Sequence, residues 1–115
     1  MIEVTALNLN KGYNAHARYD EGRVIVEIGS YVNMDFSSSA RGAIIKQYRY
    51  DESVVQSDGL VLKDCEFQSP SAAARFVTGR SVNGYNVWKV NHGEETLGHY
   101  LERIGKRVIK KRKTK

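Results

Sequence analysis

Residues 69–90, SPSAAARFVTGRSVNGYNVWKV, leave the chain little choice of local structure. Ser69 offers a hydroxyl to cap a helix, and Pro70 sits at the first helical position, where its missing N–H costs nothing. Ala73, Phe76 and Val77 fall at i, i+3 and i+4, one apolar stripe. Gly79 supplies a left-handed stop. Asn83-Gly84 makes a polar turn into residues 85–90, YNVWKV, which read as a strand. The same 22 residues carry Arg75, Arg80 and Lys89 and no carboxylate. An ordered, acid-free polar surface suits an anionic partner.

The N-terminal third alternates with period two, as strands do. Residues 2–9 alternate imperfectly. Ala15, Ala17 and Tyr19 share one face, as do Val24, Val26 and Ile28, with Ile25 opposite. Asp20-Glu21-Gly22 between these runs predicts a tight hairpin. A first helix is expected over 39–50, with Ser37 to Ser39 offering the cap and Ala40, Ile44, Ile45 and Tyr48 forming its stripe. Residues 53–56 suggest a short strand, Asp58-Gly59 a turn and residues 60–67 another strand. A last helix over 94–108 carries Leu97, Tyr100, Leu101, Ile104 and Val108 on one face, with Glu94 and Glu95 at its positive end. These elements predict a small α+β domain, a twisted and mostly antiparallel sheet with about three helices, spanning 1–108. Residues 109–115 read as a disordered basic tail.

Charge is distributed unevenly. Residues 103–115 hold eight of the 18 Lys and Arg and no acid, which leaves ten basic and 13 acidic side chains, a net of −3, in residues 1–102. Basicity therefore belongs to the tail and not to the fold. One cysteine excludes an internal disulfide framework, and no secretory signal or long apolar run appears. A cytoplasmic protein that neither crosses nor anchors to a membrane is expected.

The stretch resembles a bacterial domain family of unknown function related to the RAMA group, the restriction-enzyme adenine-methylase-associated domains. The residues that carry the resemblance are Ser69 to Ala74, Val77, Gly79-Arg80-Ser81, Asn83-Gly84 and Trp88-Lys89. Weaker features are the Tyr19 to Gly22 hairpin, Gly29-Ser30, the Arg41 to Ile45 helix and Gly93 to Leu97. The resemblance implies an accessory domain of the kind attached to GIY-YIG-type nucleases, methylases and restriction-modification proteins, recognising DNA, modified DNA included, without cutting it. Tyr85 stands where a Trp often follows Asn-Gly in that family; its ring still offers a face on which a base can stack.

Two groups of residues are candidates for nucleic-acid contact, with DNA ahead of RNA. Arg80, Ser81, Asn83, Tyr85 and Lys89 lie in or beside the loop, and Arg and Asn can contact guanine and adenine bidentately. The bland alternative is that Arg80 pairs with a distant carboxylate and Asn83 satisfies the turn backbone. Lys106, Arg107, Lys110, Lys111, Arg112 and Lys113 can follow a phosphate backbone without reading sequence. Amides at Ser71 and Ala72 could hold a phosphate unless Ser69 caps them. Phe76, Val77 and Trp88 read as core.

Catalytic patterns are poor. Cys65 reads as a buried structural thiol. His16, His92 and His99 lack metal-ligand spacing, and no Lys-Ser/Thr pair follows Gly84 to complete a phosphate loop. No enzyme, no metal and no cofactor are expected. A reading of a different class is a protein-interaction or structural module that uses the apolar stripe of the last helix, with a partner protein or a fused nuclease or methylase domain.

Overall fold

The computed structural model describes residues 1–37 and 42–106. Five antiparallel strands form one sheet: β1 (Ile2–Asn8), β2 (Tyr13–Asp20), β3 (Arg23–Val26), β4 (Cys65–Phe67) and β5 (Lys89–Val90), in the order β4-β3-β2-β1-β5. Four helices accompany it: α1 (Ala43–Arg49), α2 (Pro70–Thr78), the single turn α3 (Gly84–Val87) and α4 (Leu97–Arg103). The α+β class expected from the sequence is the one observed. None of the described helices is long and apolar enough to cross a membrane.

Alternation decides which sheet face is dry. Val4, Ala6, Ala15, Ala17, Val24, Val26, Cys65, Phe67 and Val90 are buried on one side. Phe76, Val77, Ala73 and Trp88 from the helical layer cover them and are themselves fully buried. Phe67 and Phe76 lie 5.0 Å apart between ring centroids, and Tyr48 meets both edge-on. The other face is laced with ion pairs: Glu27 holds His16 and Arg18, Arg18 also reaches Asp64, and Arg23 reaches Glu66. β2 and β3 close through Glu21 and Gly22, both at positive φ (49° and 92°), the two-residue reversal that Asp20-Glu21-Gly22 predicts.

Helix α2 is sealed at both ends. At its start Ser69 Oγ accepts from the amide of Ala72 at 3.1 Å, so the cap expected there is the one found. At its end the side chain of Arg49 donates twice to the carbonyl of Phe76, at 3.0 and 2.7 Å. The Asn33 amide donates to Val77 O, its side chain donates to Thr78 O, and the Ser37 amide donates to Gly79 O. Arg49 is 6% exposed and has no ion-pair partner among the described residues. Its guanidinium lies 4.6 Å over the Phe36 ring, and burial lowers its pKa to about 10. Its cation sits where the helix dipole is negative.

Several boundaries differ from expectation. Residues 85–90 are not one strand: Asn83 Oδ1 accepts from the Tyr85 amide and starts α3, and only Lys89 and Val90 pair with β1. Residues 60–67 pair as a strand only from Cys65, with Leu60 and Val61 in isolated bridges, and residues 53–56 contribute one bridge, Val55 to Val61. Ile28 is exposed because β3 ends at Val26. Ile44 faces outward and Ile45 inward, since α1 begins at Ala43 with no side-chain cap. Ser38, Ser39, Ala40 and Arg41 lie outside the described residues. Thr96 caps α4, which begins at Leu97, so Glu94 and Glu95 precede the helix instead of forming its first turn. That helix ends at Arg103, five residues short of the expected 108: Gly105 (φ 79°) donates to Glu102 O and Lys106 to Leu101 O, a left-handed closure.

Candidate nucleic-acid interface

The loop between α2 and α3 is fixed against the first turn of α2. The amide of Gly84 donates to Ser71 Oγ at 2.9 Å, and the indole of Trp88 donates to Pro70 O at 3.0 Å. A Cβ on Gly84 would stand 2.1 Å from that same carbonyl oxygen. Gly79 is hemmed in at the other end, where a Cβ would come within 2.8 Å of Asp35 O. Much of the 69–90 motif is thereby spent on architecture: Ser69, Pro70, Ser71, Gly79, Gly84 and Trp88 all hold the backbone in place.

The candidate contact residues separate into distinct places. Arg80 turns toward the 33–37 loop, where Nη2 lies 2.9 Å from Asp35 Oδ2. Its Nη1 donates to the carbonyls of Asp35 and Gly79. The bland reading of Arg80, a partner distant in sequence, is thus the geometry found. Asn83 also satisfies the backbone, through Oδ1, while remaining exposed. Ser81 is exposed, and Tyr85 is half-buried against the core. Ser81, Asn83 and Tyr85 line one shallow depression together with Ser71, Arg75 and Val82.

Lys89 does not join them. It lies on β5 opposite Thr5, in a separate depression with Leu7, Tyr13, His92 and Glu94. Lys106 follows α4 and sits beside Asp20, Glu21 and Gly22 of the β2–β3 hairpin. Arg107, Lys110, Lys111, Arg112 and Lys113 lie outside the described residues.

Arg75 is the residue that reading for loops overlooks. Five of the six described arginines bond a carboxylate or a carbonyl: Arg18, Arg23, Arg49, Arg80 and Arg103. Arg75 bonds neither, and its Nε is enclosed without an acceptor. A buried donor left unpaired costs roughly 1–3 kcal/mol. The available signal was spacing. Ser71 and Arg75 are four apart and share the helix flank that borders the loop.

Other reactive groups are quiet. Burial pushes the Cys65 thiol up to about 12, so it stays protonated near neutrality. Arg103 and His99 bond Glu95 and hold its carboxyl down at about 2. Among the described residues no three His, Cys, Asp or Glu side chains are grouped as a metal site. The apolar stripe of α4 is not a free surface. Leu97 and Leu101 are buried in the chain's own core and Tyr100 packs against it, which leaves Ile104, 41% exposed, as its outward member among the described residues; Val108 lies outside them.

Residues 5–100 match the model of a family described as a domain of unknown function, DUF4357. No curated protein and no solved structure matches the chain.

Proposed function

The chain belongs to the DUF4357 family, and from that premise we propose that it is a non-catalytic accessory domain that binds DNA. One observation carries the reading: the depression between α2 and α3 is lined by Ser71, Arg75, Ser81, Val82, Asn83 and Tyr85, donors and a ring with no carboxylate among them. On a body whose net charge is −3 over residues 1–102, an acid-free surface is a local exception. Long-range attraction comes from the basic segment 106–115, whose seven cations release counterions from a polyanion. The depression gives local recognition and the basic segment gives affinity. Kinship with RAMA domains, a place in restriction-modification or nuclease systems and a cytoplasmic setting extend the same proposal and rest on the 69–90 motif.

The test is a binding screen over single- and double-stranded DNA and RNA, plain and adenine-methylated, at two salt concentrations. Duplex binding that falls steeply with salt and collapses on removal of 107–115 supports the electrostatic half. A preference for one duplex that survives the truncation supports recognition by the body. No binding at about 50 mM salt, where phosphate contacts are strongest, overturns the reading. The protein-interaction reading keeps less surface among the described residues, since Leu97 and Leu101 face inward while Ile104 is exposed; concentration-dependent dimerisation would favour it.

A further inference from the structure

We infer that Arg75, flanked by Ser71 and Ser81, forms a seat for one phosphoryl oxyanion, with the side-chain amide of Asn83 at its rim and the Tyr85 ring as its wall. The inference rests on the DNA reading for its natural occupant, a backbone phosphodiester. The seat's chemistry also admits a free phosphate. Three observations carry it. Arg75 is the one described arginine without a carboxylate or carbonyl partner, and its Nε is buried with no hydrogen-bond acceptor. The depression around it holds hydroxyl and amide groups and no acid. The surroundings are fixed beforehand: Ser71 Oγ is anchored by the Gly84 amide at 2.9 Å, and Asn83 Oδ1 by the Tyr85 amide at 2.9 Å. Those bonds consume acceptor lone pairs. They leave the Ser71 hydroxyl proton and the Asn83 NH2 free to donate, which is what an oxyanion requires.

A guanidinium suits this task better than an ammonium, because its planar fork can meet two phosphate oxygens at once. The seat differs from the basic segment in kind. The segment supplies diffuse charge, whereas the seat fixes one phosphate against α2 and so sets the register of a strand across the loop. Neighbouring bases would then pass Tyr85.

The experiment uses the full chain and follows the Arg75 Nε–Hε resonance with the amides of Ser71, Ser81, Asn83 and Tyr85 by NMR. The probes are inorganic phosphate, a 12-nucleotide single strand and a 12-base-pair duplex. Arg75→Gln, Arg75→Lys and Ser81→Ala are then titrated with the same DNA across a salt series. The expected result is a shift of the Arg75 signal with DNA, loss of about one from the salt slope in Arg75→Gln, and partial recovery in Arg75→Lys. DNA binding that moves only residues 103–115 and leaves Arg75 still overturns the seat while sparing the DNA reading. A shift with inorganic phosphate and none with DNA keeps the seat and overturns that reading. No response to any probe overturns both. The shift of the unmutated protein needs no variant to fold.

Discussion

The indole N–H of Trp88 donates to the carbonyl of Pro70 over 3.0 Å, at the same oxygen that a Cβ on Gly84 would strike at 2.1 Å. One carbonyl therefore fixes two residues of the motif at once. Trp88 donates to it, and Gly84 is needed to leave room for that bond.

Gly84→Ala is accordingly a packing substitution and not a conformational one. The chain must open at the α2–α3 junction to admit the methyl group, and both the Trp88 and the Ser71 bonds lie in the path of that movement. A loss of about 3 kcal/mol is expected, at the upper end for an overpacked site. Urea denaturation followed by Trp88 fluorescence measures it; a loss under about 1 kcal/mol would show that the junction gives way.

Arg49→Met tests the seal at the other end of α2. The substitution removes a buried cation, which is favourable, but strips the Phe76 carbonyl of both its donors and the Phe36 ring of its cation. The orphaned acceptor and the lost ring contact should win, with a net loss of roughly 2 kcal/mol. Arg49→Lys should fall between, since one ammonium cannot reproduce the fork. Thermal unfolding of the three proteins gives the order; a Met variant as stable as the parent refutes the assignment.

Asp35→Ala separates the two roles open to Arg80. The pair is solvent-facing, with Asp35 83% and Arg80 40% exposed, so stability should change by less than about 1 kcal/mol. Freed of its carboxylate, Arg80 becomes available to phosphate, and duplex affinity at low salt should rise about threefold. If affinity is unchanged while Arg80→Ala is also silent, Arg80 takes no part in binding.

Glu95 supplies an acid-sensitive contact. Arg103 and His99 hold its carboxyl at about 2, below the ordinary value of 4.5. The folded-state value is the depressed one, so its contribution is complete above pH 4.5 and disappears as pH falls toward 2. Between those limits the parent should lose more melting temperature than Glu95→Gln, and the two curves should converge at the acid end. Parallel curves would mean that the Arg103 contact adds nothing.

How far the sequence could be read depended on whether the signal was local. The hairpin at Glu21-Gly22 and helix α2 were legible because turn and cap chemistry act within a few residues. Residues 85–90 misled because Tyr, Val and Trp favour strands. The competing influence, Ser71 holding the Gly84 amide, comes from 13 positions away. Arg49 drew no reading, since nothing nearby in sequence reveals that it must satisfy Phe76, 27 positions on. For Arg80 a distant carboxylate was one of the two readings, but nothing local identified it as Asp35, 45 positions away. For the binding surface, Ser81, Asn83 and Tyr85 were found as a loop. Arg75 was counted in the acid-free stretch but left out of the contact residues because it lies on the helix, and Lys89 was grouped with them by adjacency in the chain although β5 carries it to the sheet.

The closure at Gly105 has a consequence for how such a domain can be reused. The Lys106 and Gly105 amides satisfy the carbonyls of Leu101 and Glu102, so the helix ends with its own loose threads tied. A cationic extension, a longer spacer or an unrelated module could be spliced in directly after that knot, and no bond among the described residues would have to be renegotiated.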